Sequence, residues 1–91
     1  MKPKISVQSA GTAKYRVTIE QGHSKSTHEV GVSPIELTKY AGKGSAERLV
    51  EASFEFLLER EPKESILRSF NLSDIENYFP DYPKRIRQML A

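Results

Sequence analysis

Residues 24–60 carry the most informative pattern in the chain and read SKSTHEVGVSPIELTKYAGKGSAERLVEASFEFLLER. An alternating stretch is followed by Ser33-Pro34, in which a serine that can cap a helix precedes a proline suited to the first helical position. Glycines in Gly42-Lys43-Gly44 then break the pattern. Over Ser45–Arg60, a capping serine is followed by apolar residues at helical spacing. This stretch predicts a strand, a short helix, a turn and a longer helix.

The preceding residues alternate in the same manner over 4–10 and 14–20. In the second run Tyr15, Val17 and Ile19 point one way while polar residues point the other, which is typical of a half-buried antiparallel strand. Hairpin connections fit at 10–13 and 21–24. The third run places Val30 and Val32 on a face with His28, opposite Lys25, Thr27 and Glu29. A three-stranded antiparallel meander is therefore expected.

The remaining residues predict further short helices at 62–70, 73–79 and 83–90, with Ser73 as the cap of the second. Tyr78 is expected to face inward in this second helix. Tyr82, between two prolines, is expected to be an exposed contact. The predicted fold is α+β: a single domain over 1–91, with the meander in 1–32 and three to five short helices in 33–91.

Composition limits the class of protein. The chain has 91 residues and no cysteine, which excludes disulfides and thiolate chemistry and suits a reducing compartment. It has no apolar run near the roughly 20 residues that a membrane helix needs. The N-terminus has no apolar segment typical of a secretory signal. We expect a soluble, cytoplasmic protein with no membrane partner.

Residues that carry chemistry are few. The two histidines, His23 and His28, are five positions apart and have no cysteine near them, so neither a metal site nor a general base is indicated. They are interpreted as surface or edge-strand residues. We expect no catalytic residue, no metal and no small-molecule cofactor, and hence no enzyme.

Charge is unevenly distributed along the chain. Residues 1–44 carry seven basic and three acidic side chains, whereas residues 45–91 carry seven basic and nine acidic ones. A basic N-terminal half favours an anionic partner, although an ordinary solvated sheet face gives the same composition. Likewise, Lys43, Gly44 and Ser45 at the start of a helix suit an anion such as a DNA phosphate, or simply a flexible turn between two helices.

Residues 24–60 resemble the ribbon-helix-helix family of small bacterial repressors and antitoxins. The resemblance lies in Val30 and Val32, the helix opening Ser33–Leu37, the glycine turn before Ser45, and the aromatic-aliphatic pair Phe56-Leu57. It implies that the strand pairs with its copy in a homodimer and enters the DNA major groove. The N-terminus of the second helix would then hold a phosphate.

Two hypotheses follow. The first is a dimeric DNA-binding regulator or antitoxin that contacts DNA through Lys25, Thr27, Lys43, Gly44 and Ser45, and that loses binding on Lys43→Glu or Thr27→Asp. The second is a protein-interaction or accessory domain with a protein partner and no nucleic-acid role. It would use the sheet face or the aromatic C-terminal helices.

Overall fold

The N-terminal third forms an antiparallel meander, as its alternation predicts. The structure, a computed structural model, describes residues 2–91. Its first three strands are β1 (Lys4–Ser9), β2 (Lys14–Gln21) and β3 (Ser24–Gly31), each antiparallel to the next. Between β2 and β3 only Gly22 and His23 turn the chain. Gly22 has a φ of 62°, a left-handed conformation that glycine adopts at little cost.

The helix predicted over 62–70 is wrong, because the end of this segment belongs to a fourth strand, β4 (Ser69–Asn71). The sheet order is β1-β2-β3-β4, and β4 runs parallel to β3. Only a single 3-10 turn forms at Lys63–Ser65. Pairing with β3 outweighs the local helical spacing, because Glu29 N–H donates to the Arg68 carbonyl at 2.7 Å and Phe70 joins Val30 on the apolar face.

Residues 2–91 form four α-helices. They are α1 (Pro34–Ala41), α2 (Ala46–Leu58), α3 (Leu72–Tyr78) and α4 (Tyr82–Leu90). The predicted caps of the first two are confirmed: the Ser33 hydroxyl accepts from Glu36 N–H, and the Ser45 hydroxyl accepts from Arg48 N–H, both at 3.1 Å. The cap of α3 is Asn71 rather than Ser73. The α+β meander followed by short helices is thus observed, with β4 added.

The core lies between the sheet and α2. Val17, Ile19 and Val30 on the sheet and Leu49 and Phe54 of α2 are buried. The wide apolar arc of α2 also contacts α4 on its other side. This two-sided packing explains why so much of α2 is apolar.

Two tyrosines have the opposite exposure to the one predicted from the sequence. Tyr82 is fully buried against the rings of Tyr40 and Phe56, with centroid distances of 4.9 and 5.2 Å. It is the first residue of α4, and its hydroxyl reaches the Ser53 hydroxyl at 2.6 Å. Tyr78 is 69% exposed instead. Leu72 and Ile75 set the inward face of the short α3, and Tyr78 falls at its rim.

Glu36 joins the starts of two helices. One carboxylate oxygen accepts from Ser33 N–H and the other from Ser73 N–H, both at 2.8 Å. Burial acts to raise the pKa of this carboxyl, but the hydrogen bonds from Ser33 and Ser73 outweigh it and hold the pKa below its ordinary value. The charged form of Glu36 therefore stabilises the contact between α1 and α3.

Glu36→Gln is expected to lower the free energy of unfolding at neutral pH by about 1–2 kcal/mol, because the variant loses charge-assisted hydrogen bonds in a half-buried position. Since the folded pKa lies below the unfolded one, the contribution of Glu36 is complete above the ordinary value of 4.5 and is lost as pH falls through the folded pKa. Urea unfolding of both proteins between about pH 7 and pH 3 should show the difference shrinking.

The control for this prediction is Glu47→Gln. Glu47 also lies in the first turn of a helix but is exposed. We expect less than about 0.5 kcal/mol from this change. Equal effects of the two substitutions over the whole pH range would contradict the role given to Glu36.

Candidate nucleic-acid interface

The sheet has a polar surface on the side away from the helices. Because Tyr15, Val17 and Ile19 face the helices, their neighbours in β2 face outward, and strand register extends this surface to the other strands. We call this surface the outer sheet face. It consists of twelve polar residues: Lys4, Ser6, Gln8, Lys14, Arg16, Thr18, Glu20, Lys25, Thr27, Glu29, Ser69 and Asn71.

These side chains form rows across the strands. One row is Lys4, Glu20 and Lys25, and a second is Ser6, Thr18 and Thr27. The face carries four basic and two acidic side chains, so its net charge is positive. It is also accessible, since most of its residues are exposed. An accessible cationic sheet surface suits an extended anionic partner.

Arg16 and Glu29 lie opposite each other in a further row. Their nearest nitrogen and oxygen are 3.9 Å apart, and both side chains are about half exposed, at 52% and 53%. An ion pair of this length in water contributes little to stability. The Arg16 guanidinium therefore keeps most of its donors for another acceptor.

The residues predicted to contact DNA fall into two separate groups. Lys25 and Thr27 are exposed on the outer sheet face. Lys43, Gly44 and Ser45 lie in the turn between α1 and α2, in the helical layer that packs on the opposite face. No described contact joins the two groups. The structure does not bring these five residues into one surface.

The turn before α2 is explained by helix geometry. Gly42 has a φ of 59° and donates from its N–H to the Thr38 carbonyl, which closes α1. Gly44 N–H donates to the Ala41 carbonyl at 2.9 Å, and the Ser45 hydroxyl caps α2. The N–H groups of Gly42 and Gly44 and the Ser45 hydroxyl all have hydrogen-bond partners within the protein, so no bound anion is needed to explain the turn.

The resemblance to the ribbon-helix-helix family implies that β3 pairs with the same strand of a second copy of the chain. In the structure β3 is an internal strand, with β2 along one side and β4 at Glu29–Gly31 on the other. Those three residues therefore have no free edge for a second copy. A Cβ at Gly31 would lie 2.3 Å from the Asn71 side-chain oxygen, so a larger residue there would require that side chain to move.

His28 is buried, which corrects its interpretation as a surface or edge residue. It is 2% exposed and its ring centroid lies 5.4 Å from that of Phe54. Its Nδ1 donates to the Leu67 carbonyl at 2.8 Å, and Nε2 hydrogen-bonds with the Ser26 hydroxyl at 2.9 Å. With both nitrogens occupied, His28 links β3 to the segment before β4.

The predicted site residues include only Lys25 and Thr27 from the outer sheet face and leave out its ten other members, among them Lys4, Gln8, Lys14, Arg16, Ser69 and Asn71. The alternation of β1 and β2 already carried the signal for the first four, since it places them opposite the apolar residues. Ser69 and Asn71 could not be assigned because β4 itself was not predicted. Register joins them to Lys25 and Thr27 in one surface.

Over residues 2–91, no three or more histidine, cysteine, aspartate or glutamate residues are grouped so that they could hold a metal ion. None of the described helices has both the length and the apolar character needed to cross a membrane. Comparison of the chain with protein-family models, with curated proteins and with solved structures finds no match.

Proposed function

We propose that the protein is a small non-enzymatic module, a DNA-binding regulator or antitoxin, and that it binds duplex DNA through its outer sheet face. The observation that carries the proposal is the composition of that face. It combines a net positive charge with hydroxyl and amide side chains. Cations bind phosphates, while amide, hydroxyl and guanidinium groups read base edges.

The dimensions of the sheet support the same partner. β2 and β3 are the two central strands of the four-stranded sheet, so the sheet would lie against the DNA and present the outward side chains of these two strands to the major groove, which is about 12 Å wide in B-form DNA. Double-stranded RNA has a deep, narrow major groove that side chains do not read. Duplex DNA is therefore favoured over duplex RNA.

Individual residues of β2 and β3 have the hydrogen-bonding groups needed to contact bases. Arg16 has the donors to bind guanine, and Glu29 opposite it can accept from cytosine. Thr27 at the centre suits either a base edge or a thymine methyl group. Lys4, Lys14 and Lys25 lie around these residues and supply the phosphate contacts.

A homodimer belongs to the same proposal, with β1 as its pairing strand. β1 is six residues long and ends the sheet, so no described strand covers its far edge. Two copies paired along this edge would bring two outer sheet faces onto one duplex.

The experiment is fluorescence anisotropy with a labelled duplex of mixed sequence, at salt concentrations from ~50 to ~300 mM. Up to four cations face the DNA, so we expect the logarithm of affinity to fall with the logarithm of salt with a slope of up to about −3.6, a loss of up to roughly 600-fold over the range. Light-scattering mass on the same samples reports the dimer.

The control is an RNA duplex of the same sequence, for which weaker binding is expected. Equal binding of both duplexes would contradict insertion into the major groove. Absence of DNA binding at the lowest salt would overturn the proposal and favour the second hypothesis, an interaction domain with no nucleic-acid role.

A further inference from the structure

A small apolar groove opens at the other end of the sheet, beside β4. It lies between the segment that leads into β4 and the helix α3, and its volume is about 170 Å³. Leu67 and Phe70 line one side, and Tyr78 and Phe79 line the other. We call it the β4–α3 groove. Pockets for cofactors and other small molecules are generally larger, at about 300–1,000 Å³. An apolar cavity of about 150 Å³ holds a benzene ring, so this groove is suited to a single side chain.

The rim of the groove is unusually apolar for an exposed surface. Among residues 2–91 the large apolar side chains that are clearly exposed are Ile35, Leu67 and Tyr78. Leu67, 52% exposed, and Tyr78, 69% exposed, both border the groove. Single exposed apolar residues are ordinary, whereas two at the rim of an apolar groove are typical of a protein-binding surface.

The charged residues that line the groove have one sign. They are Glu61 and Asp74, and no lysine or arginine lines it. Asp74 is held in place because its carboxylate accepts from Asn71 N–H at 3.0 Å. An apolar surface with carboxylates beside it complements a segment that carries an apolar side chain next to a basic one.

We propose that the β4–α3 groove is a docking site for a peptide segment of a protein partner, which inserts one aliphatic or aromatic side chain and places a neighbouring lysine or arginine against Glu61 and Asp74. This site does not depend on DNA binding. The groove is lined by the segment before β4, by α2 and by α3, whereas the outer sheet face is formed by the strands. The two surfaces approach each other at Asp74, which also lines a depression with Glu29, Ser69 and Asn71.

The test begins with selection of displayed random peptides on the full chain. We expect enriched sequences to share an aliphatic or aromatic residue flanked by lysine or arginine. The best peptide is then synthesised, labelled, and titrated with the Leu67→Ser and Tyr78→Ser variants. Both should bind it at least about tenfold more weakly, because each loses rim contact with the inserted side chain. Ile35→Ser is the matched control: Ile35 is 81% exposed but lies on α1, away from the groove, and its affinity should be unchanged.

A charge exchange tests the acidic side of the groove. Glu61→Lys should weaken the peptide, and a peptide whose basic residue is replaced by glutamate should recover binding to that variant. Glu47→Lys should have no effect. DNA binding by all of these variants is expected to match the wild type, which separates failure of this site from failure of the outer sheet face.

The docking site would be overturned if the selected peptides shared no sequence pattern, or if they were acidic. It would also be overturned if the wild type and Tyr78→Ser bound the peptide equally well. Concentration-dependent self-association that is abolished both by Ile35→Ser and by Tyr78→Ser would also overturn it. That result would make a second copy of the chain the occupant, with Ile35 and the nearby Lys39 as the inserted residues.

Discussion

Replacing Arg16 and Lys25 together with glutamine is expected to weaken binding to duplex DNA about 100-fold at ~50 mM salt. Arg16 loses guanine and phosphate contacts, worth about 1–3 kcal/mol, and Lys25 loses a phosphate contact. The salt dependence should fall by about two in slope, since two fewer counterions are released. The fold should tolerate both changes, because both side chains are exposed and glutamine keeps their aliphatic length.

The matched control is the double variant Lys43→Gln and Lys84→Gln, which removes the same charge from the helical layer. Both lysines are exposed. Binding should remain within about twofold of the wild type, because long-range attraction is largely screened beyond about 10 Å. Loss of binding in this control, with the Arg16 and Lys25 variant unaffected, would contradict the outer sheet face. It would favour the phosphate site implied by the ribbon-helix-helix resemblance.

Tyr82→Ala is expected to lower the free energy of unfolding by about 3–5 kcal/mol, a large share of the 5–15 kcal/mol typical of a small domain. The ring fills the space between α1, α2 and α4 and contacts Tyr40 and Phe56. Its removal leaves a cavity and also removes a partner of the Ser53 hydroxyl. Urea unfolding followed by circular dichroism measures the loss.

Tyr82→Phe separates the ring from the hydroxyl. Ser53 donates to the Leu49 carbonyl at 2.7 Å, so the Tyr82 hydroxyl donates to Ser53. Burial raises the pKa of the Tyr82 hydroxyl well above its ordinary value, which keeps that donor protonated. Loss of this one hydrogen bond should cost about 1 kcal/mol.

Tyr78→Ala is the control for both changes. The residue type is the same and the position only four residues away, but Tyr78 is 69% exposed. Its replacement should change stability by less than about 0.5 kcal/mol. Similar losses from Tyr78→Ala and Tyr82→Ala would contradict the burial on which the prediction rests.

The two tyrosines also show where sequence patterns stop being informative. Local spacing predicts that Tyr78 faces inward, and the flanking prolines predict that Tyr82 is exposed; both predictions are wrong. A helix of seven residues has too few positions to define its buried face by itself. That face is set by what α3 packs against, namely the segment before β4 and α4.

Strand β4 was beyond sequence prediction for a related reason. Three residues carry too little periodicity to be recognised, and parallel pairing with β3 joins segments about 40 residues apart. The burial of His28 also depends on distant residues, because its ring packs against Phe54 of α2 and its Nδ1 donates to the Leu67 carbonyl just before β4. Long-range contacts therefore changed the interpretation of several residues at once.

Local chemistry alone determined the meander, the caps at Ser33 and Ser45, and the amphipathic α2. Alternation, capping hydroxyls and helical spacing act between residues close in sequence, so they can be recognised without knowing the fold. Tertiary structure alone decided the position of β4, the burial of Tyr82 and His28, and the separation of Lys25 and Thr27 from Lys43, Gly44 and Ser45. These features depend on which distant surfaces meet when the apolar faces are buried together, and that choice is made by packing over the whole chain.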